Sequence, residues 1–134
     1  MTSLPTSRTD ARERALELLY EAHAKSCSVA TVLAALQLPP DLYARSIAVG
    51  ADENVDGAMA LIAQFTRGGW SVDRLPLLDV LILRIAIEEM QHQPDVPRAV
   101  LLNEAVELAK NFSTEESGAF VNGILDSIAD HLGR

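Results

Sequence analysis

Three histidines, a lone cysteine, two adjacent glutamate pairs and a short arginine cluster are the side chains through which this chain of 134 residues could do chemistry. His23, His92 and His131 lie far apart in sequence, on polar or terminal positions, and read as surface residues rather than metal ligands. Glu88-Glu89 and Glu115-Glu116 are neighbours in the chain. On a helix, adjacent residues point in different directions, so neither pair can share a proton as acid and base. Cys27 precedes an expected helix start, which can lower a thiol pKa. With no base at hand it reads as structural, and one cysteine builds neither a disulfide nor a cysteine metal cluster within the chain. There is no glycine-rich phosphate loop, no nucleophile elbow and no HExxH. The expectation is a non-enzyme without cofactor or metal.

That leaves surfaces. Arg8, Arg12 and Arg14 are the one concentration of positive charge. The simplest account pairs them with Asp10, Glu13 and Glu17. Asn103, Glu107 and Lys110 form a second polar strip. The net charge is −8. It excludes indiscriminate nucleic-acid binding, which depends on neutralising phosphates, but leaves room for a local basic patch. Aromatic residues make up only 4% of the chain, too few for a broad stacking platform. These residues by themselves define an acidic, helical binding module.

The elements that must position these residues centre on Leu77 to Met90, LLDVLILRIAIEEM. Only Asp79, Arg84, Glu88 and Glu89 interrupt its apolar character, and the apolar positions surround nearly the whole helix, so it belongs inside a domain. Arg84 and Glu88, four apart, are expected to pair on an exposed strip. The same charges rule out a membrane span there, and the N-terminus lacks a signal peptide's apolar core, which together with the single cysteine fits the cytoplasm.

Residues 1–7 are expected to be a disordered lead-in, with Thr9 or Asp10 capping a first helix built on Ala11, Ala15, Leu18 and Ala22. A short helix over Ser28–Leu38 ends at Pro39-Pro40, and one long helix is expected from Asp41 to Arg67, with Gly50 and Gly57 allowing close packing or a bend. Gly68-Gly69 stops it, Trp70 plugs the core, and Asp73 caps the central helix. Pro97 opens a helix whose buried ridge is Leu101, Ala105, Leu108 and Phe112. Ser113 and Glu116 are expected to form a capping box for the last helix, in which Gly123 marks a close backbone approach. No strand pattern competes, so the expectation is one all-α domain of six or seven helices spanning 1–134.

Three segments, ILRIAIEEM, DVPRAVLLNEAVELAKNF and EESGAFVNGILDSI, closely resemble the NusB family of transcription antitermination factors, and ARERALELLY resembles that family's opening helix. The resemblance runs along nearly the whole chain, dense from Leu75 to Ile128 and thin from Cys27 to Phe65. It implies two small packed helical bundles and a non-enzymatic role. The implied partners are a single-stranded boxA element in nascent RNA, the small-subunit ribosomal protein NusE, and the transcription elongation complex, whose polymerase is helped through terminators, notably in ribosomal RNA operons.

The resemblance also assigns residues. Arg8 and Arg12 keep the register of an arginine-rich opening segment that meets RNA backbone, with Thr9 and Asp10 between them. Tyr20 matches the tyrosine that ends the family's first-helix motif and is a candidate base or sugar contact. Lys110 and Phe120 match positions near the RNA surface, where a phenyl face can stack on an unpaired base. Glu116 matches an acidic position on that face, able to accept from base amino groups. Asp79 matches an acidic position facing NusE, where a basic side chain can pair with it. Asn103 and Asn122 belong to the motif as structural residues. Two alternatives stay open. One is a NusB-like RNA-targeting domain of the kind found in ribosomal-RNA methyltransferases, which a chain ending near Arg134 without a catalytic segment disfavours. The other is a regulatory homodimer with no antitermination role.

Overall fold

The computed structural model describes residues 7–66 and 72–134, which form seven α-helices, one 3-10 turn and no strand. The helices are α1 (Arg8–Ala24), α2 (Val29–Ala34), α3 (Leu42–Glu53), α4 (Val55–Phe65), α5 (Leu77–His92), α6 (Arg98–Phe112) and α7 (Glu115–Leu132). Residues 1–6, most of the expected lead-in, and the expected Gly68-Gly69 stop and Trp70 plug lie outside the described residues.

α5 is the axle. Its apolar residues from Val80 to Ile87, together with Met90, are buried, and so are Asp79, Glu88 and Glu89. It packs against α1 and α3 on one side and against α4, α6 and α7 on the other. α1, α2 and α3 pack mutually as one small bundle. α6 and α7 pair closely, and α4 joins α5 and α7 in the second. A single apolar cluster draws on all seven helices.

Several local expectations are corrected. Ser7, not Thr9 or Asp10, caps α1 by accepting from the Asp10 amide at 3.1 Å. α2 stops at Ala34, not Leu38, because the amides of Ala35 and Leu36 turn back three residues, to Val32 and Leu33, before the prolines. The expected long helix is two helices. It opens as foreseen at Asp41, whose carboxylate accepts from the amides of Tyr43 (2.9 Å) and Ala44 (3.1 Å). It breaks at Asn54 (φ −101°, ψ 24°), whose side-chain amide donates to buried Glu88 Oε1 at 3.0 Å. Gly50 stands opposite the same carboxylate, where an added Cβ would lie 2.5 Å from Oε1. Close packing at Gly50 was foreseen; the neighbour is a charged side chain.

Pro76 occupies the N-cap position of α5, and Asp73 lies in the 3-10 turn Val72–Arg74. Thr114, one residue beyond the expected Ser113, caps α7 by accepting from the Ser117 amide at 3.1 Å, because Ser113 still terminates α6. Phe112, the last residue of α6, is 43% exposed instead of buried. Among the described residues, a Cβ at Gly123 would meet nothing within 4 Å, so none of their backbone crosses there; the tight α6–α7 approach falls at Gly118, where a Cβ would stand 3.2 Å from the Lys110 side chain. Arg98 ties the same two helices by pairing with Asp126 (2.6 Å) and Asp130 (2.7 Å). Arg134 donates to the carbonyls of Met90 (3.0 Å) and Val96 (2.7 Å), closing the end of α5.

Candidate RNA and partner interface

α1 carries Arg8 at its first helical position and Arg12 one turn later. Arg12 shares its side of the helix with Ala11, Ala15, Leu16 and Leu19, all buried, and is itself only 3% exposed. Its Nε and Nη2 donate to the two oxygens of Glu89, each at 2.8 Å, and its Nη1 donates to Glu104 at 3.1 Å. The Tyr43 hydroxyl donates to Glu89 Oε2 at 2.6 Å, and the Thr9 hydroxyl donates to Glu104 at 2.6 Å. Four helices, α1, α3, α5 and α6, therefore meet in one charged node. Burial opposes the Arg12 charge, but the bond to Glu89 and the charges around it hold its pKa above the ordinary arginine value. Burial and the bond to Glu89 push the Tyr43 phenol up to about 12. A phosphate can reach the Arg12 guanidinium only by displacing these carboxylates.

Arg8 is placed differently. It is exposed, and its guanidinium carbon stands 3.7 Å from the centre of the Tyr43 ring. The expected pairing of the arginines with acids on their own helix is reduced to one marginal contact, Arg14 to Glu17 at 4.0 Å. Tyr20, further along α1, is 49% exposed.

Asp79, Glu116 and Phe120 come together. They line one open cleft of about 740 Å³ between the end of α4, the 3-10 turn and α7, with Arg74, Leu75 and Thr114. Phe120 is half-buried and packs on the apolar cluster, and Glu116 is exposed. Asp79 forms the floor at 2% exposure: Ser117 Oγ donates to its Oδ2 at 2.9 Å, while its Oδ1 has no hydrogen-bond partner among the described residues. Lys110 lies in a separate, shallower groove of about 470 Å³ between α6 and α7, with Asn103 and Asn122; Ala119 borders both depressions.

The expected Arg84–Glu88 surface pair does not form. Arg84 Nη2 donates to the Ala51 carbonyl at 3.1 Å, and Glu88 turns inward to Asn54 and His92. Burial lowers the Arg84 pKa, with the charge of Asp52 opposing that shift. Asp52 accepts from the Val29 amide at 3.0 Å. Tyr43, Glu104 and Ser117 were not foreseen as parts of any site. The position of Arg12 on the apolar stripe of α1 was the one available signal of its burial. Nothing local marked Tyr43 or Ser117, whose partners are 46 and 38 residues away.

Taken as a class, this is a two-lobed, all-helical binding module with a polar node between its lobes and mixed clefts on its surface. The chain belongs to the NusB family, whose model matches residues 9–130. It is 40% identical over 134 residues to the transcription antitermination protein NusB of Sorangium cellulosum (strain So ce56), covering 96% of this chain and 95% of that one. It is 38% identical over 138 residues to the same-named protein of Myxococcus xanthus (strain DK1622), covering 96% and 98%. The structure superposes on T. maritima NusB with a TM-score of 0.84 at 32% identity, over 95% of this chain and 93% of that one. It shares its fold, with a TM-score of 0.77 at 22% identity over 92% and 96%, with a chain from the crystal structure of antitermination factors NusB and NusE in complex with double-stranded RNA. No helix among the described residues is long and apolar enough to cross a membrane.

Proposed function

We propose that this chain is a cytoplasmic, non-enzymatic transcription antitermination factor that holds boxA RNA jointly with ribosomal protein NusE and so helps the elongation complex read through terminators, notably in ribosomal RNA operons. Family membership across residues 9–130 carries the reading. The geometry supports it by offering surfaces of two kinds. Arg8, Tyr20 and Lys110 present exposed donors and an aromatic edge suited to an RNA strand. In the cleft, Phe120 offers a ring face for a base and Glu116 an acceptor for base amino groups. Asp79 lies on the cleft floor at 2% exposure with Oδ1 unpartnered among the described residues, so a basic side chain of the partner would pair with it only by opening the cleft. Arg12 serves from within, by fixing the helix that carries Arg8.

A chain of net charge −8 with one exposed arginine at the start of its first helix attracts phosphate weakly on its own. A basic ribosomal protein supplies the missing charge and is steered in by the acidic surface. RNA affinity is therefore expected to rise well beyond additivity when NusE is present. Mobility-shift titrations of a boxA strand with and without NusE test this, and equal affinity in both would refute the joint-binding reading.

A further inference from the structure

We propose that Tyr43 is a positioning residue, whose ring holds the Arg8 guanidinium flat so that its N–H edge faces an RNA phosphate. The inference rests on the RNA-binding reading above and adds to it a residue on a different helix. Arg8 stands 3.7 Å from the ring centre, within the range of a cation–π contact. Such stacking covers the face of the guanidinium and leaves its in-plane donors free for bidentate contact with phosphate oxygens. No carboxylate pairs with Arg8 among the described residues, although Arg12, four residues on, has two. Arg8 also sits at the positive end of α1, where a cation is disfavoured, and the negative face of the ring offsets that placement.

The platform is rigid at both ends. The Tyr43 amide is fixed by the Asp41 cap at 2.9 Å, and its hydroxyl by buried Glu89 at 2.6 Å. Glu89 is in turn fixed by Arg12. The buried node thus passes its order outward through one aromatic ring to one exposed cation. Arg12 itself is 6.0 Å from the ring centre and is committed to the carboxylates.

The test is the binding of a boxA single strand to the complex with NusE, titrated at several salt concentrations. Arg8→Gln is expected to reduce the slope of log affinity against log salt by about 0.7, the loss of one phosphate contact. Tyr43→Leu is expected to weaken binding by about two- to fivefold, the size of an exposed cation–π contact. It should cause no further loss in an Arg8→Gln background, while Tyr43→Phe, which keeps the ring but loses its hydroxyl tether to Glu89, should bind RNA between the parent and Tyr43→Leu. Equal losses from Tyr43→Leu with and without Arg8, or an Arg8→Gln variant that binds as the parent, would overturn the assignment. Should Tyr43→Leu not fold, relaxation of the Arg8 side-chain Nε–H in the unaltered protein decides. Order matching the backbone supports the platform, and free rotation overturns it. A parent complex that binds no boxA strand at all overturns the antitermination reading too, so the two failures are distinguishable.

Discussion

Glu88 and Glu89 leave α5 one residue apart, both are buried, and they face surroundings of opposite kind. Glu89, 1% exposed, meets a guanidinium through two parallel bonds and a phenol through a third. Glu88 meets a side-chain amide from Asn54, the ring of His92 at 2.8 Å, and the bare backbone of Gly50. The first carboxylate is neutralised by a fixed cation and joins the two lobes. The second is solvated by polar groups and shapes the break between α3 and α4. A charge inside this small protein is thus tolerated in two ways, and the two differ in what removal of a partner should cost.

The largest effect is expected at Arg12. Arg12→Met strands Glu89 without its cation, and breaking a buried pair from one side costs about 3–5 kcal/mol. Combining it with Glu89→Leu should recover much of that loss, because the desolvated charge is then gone as well. Denaturant midpoints at unchanged slope measure both. If Arg12→Met proves nearly neutral, the node is not a fixed ion pair and the contrast with Glu88 disappears.

Next in size is the Glu88 side. Alanine at Gly50 places a methyl group 2.5 Å from a carboxylate that is held at two points, whereas alanine at Gly57 meets nothing within 4 Å among the described residues. Both changes gain the same helix propensity, about 1 kcal/mol. Gly50→Ala should therefore come out less stable than Gly57→Ala by about 1–3 kcal/mol, the usual cost of overpacking. Equal thermal midpoints for the two variants would show that Glu88 swings aside freely, and that Asn54 and His92 do not hold it.

The same contrast explains which parts of the molecule were legible in the sequence. α5, α6 and α7 were, because their apolar spacing is local and nearly unbroken. The break at Asn54 was not: helical periodicity continues through it, and its cause is a carboxylate 34 residues away. Arg8 and Arg12 are the same residue type one turn apart and read alike in sequence. Their fates differ because Glu89 and Glu104 arrive from 77 and 92 residues further along the chain. Asp79, Glu116 and Phe120 were placed by resemblance, and the cleft they share follows from the packing of α7 beside α5, which no local pattern reports. Glycine was informative where a side chain crowds it, at Gly50 and Gly118, and uninformative at Gly123, because sequence alone does not say which glycines have neighbours.

The smallest expected effect is confined to alkaline pH and probes the Glu89 side at its outer edge. Burial and the hydrogen bond to Glu89 push the Tyr43 phenol up to about 12, against an ordinary value of 10.0. The folded chain thus keeps a proton that the unfolded chain has begun to lose. A raised folded pKa contributes stability that is complete below the unfolded value and is lost as pH rises through the folded one. Stability should therefore decline between about pH 10 and 12 as the unfolded phenol ionises, and ionisation within the folded state would set a phenolate against Glu89. Tyr43→Phe has no proton to lose and should lack this part of the decline, although it begins from a lower plateau because the 2.6 Å bond is gone. Denaturant midpoints from pH 8 to 11 for the two proteins isolate the difference. Parallel curves would mean that the phenol is not held by Glu89, and that the Arg8 platform is looser than its geometry indicates.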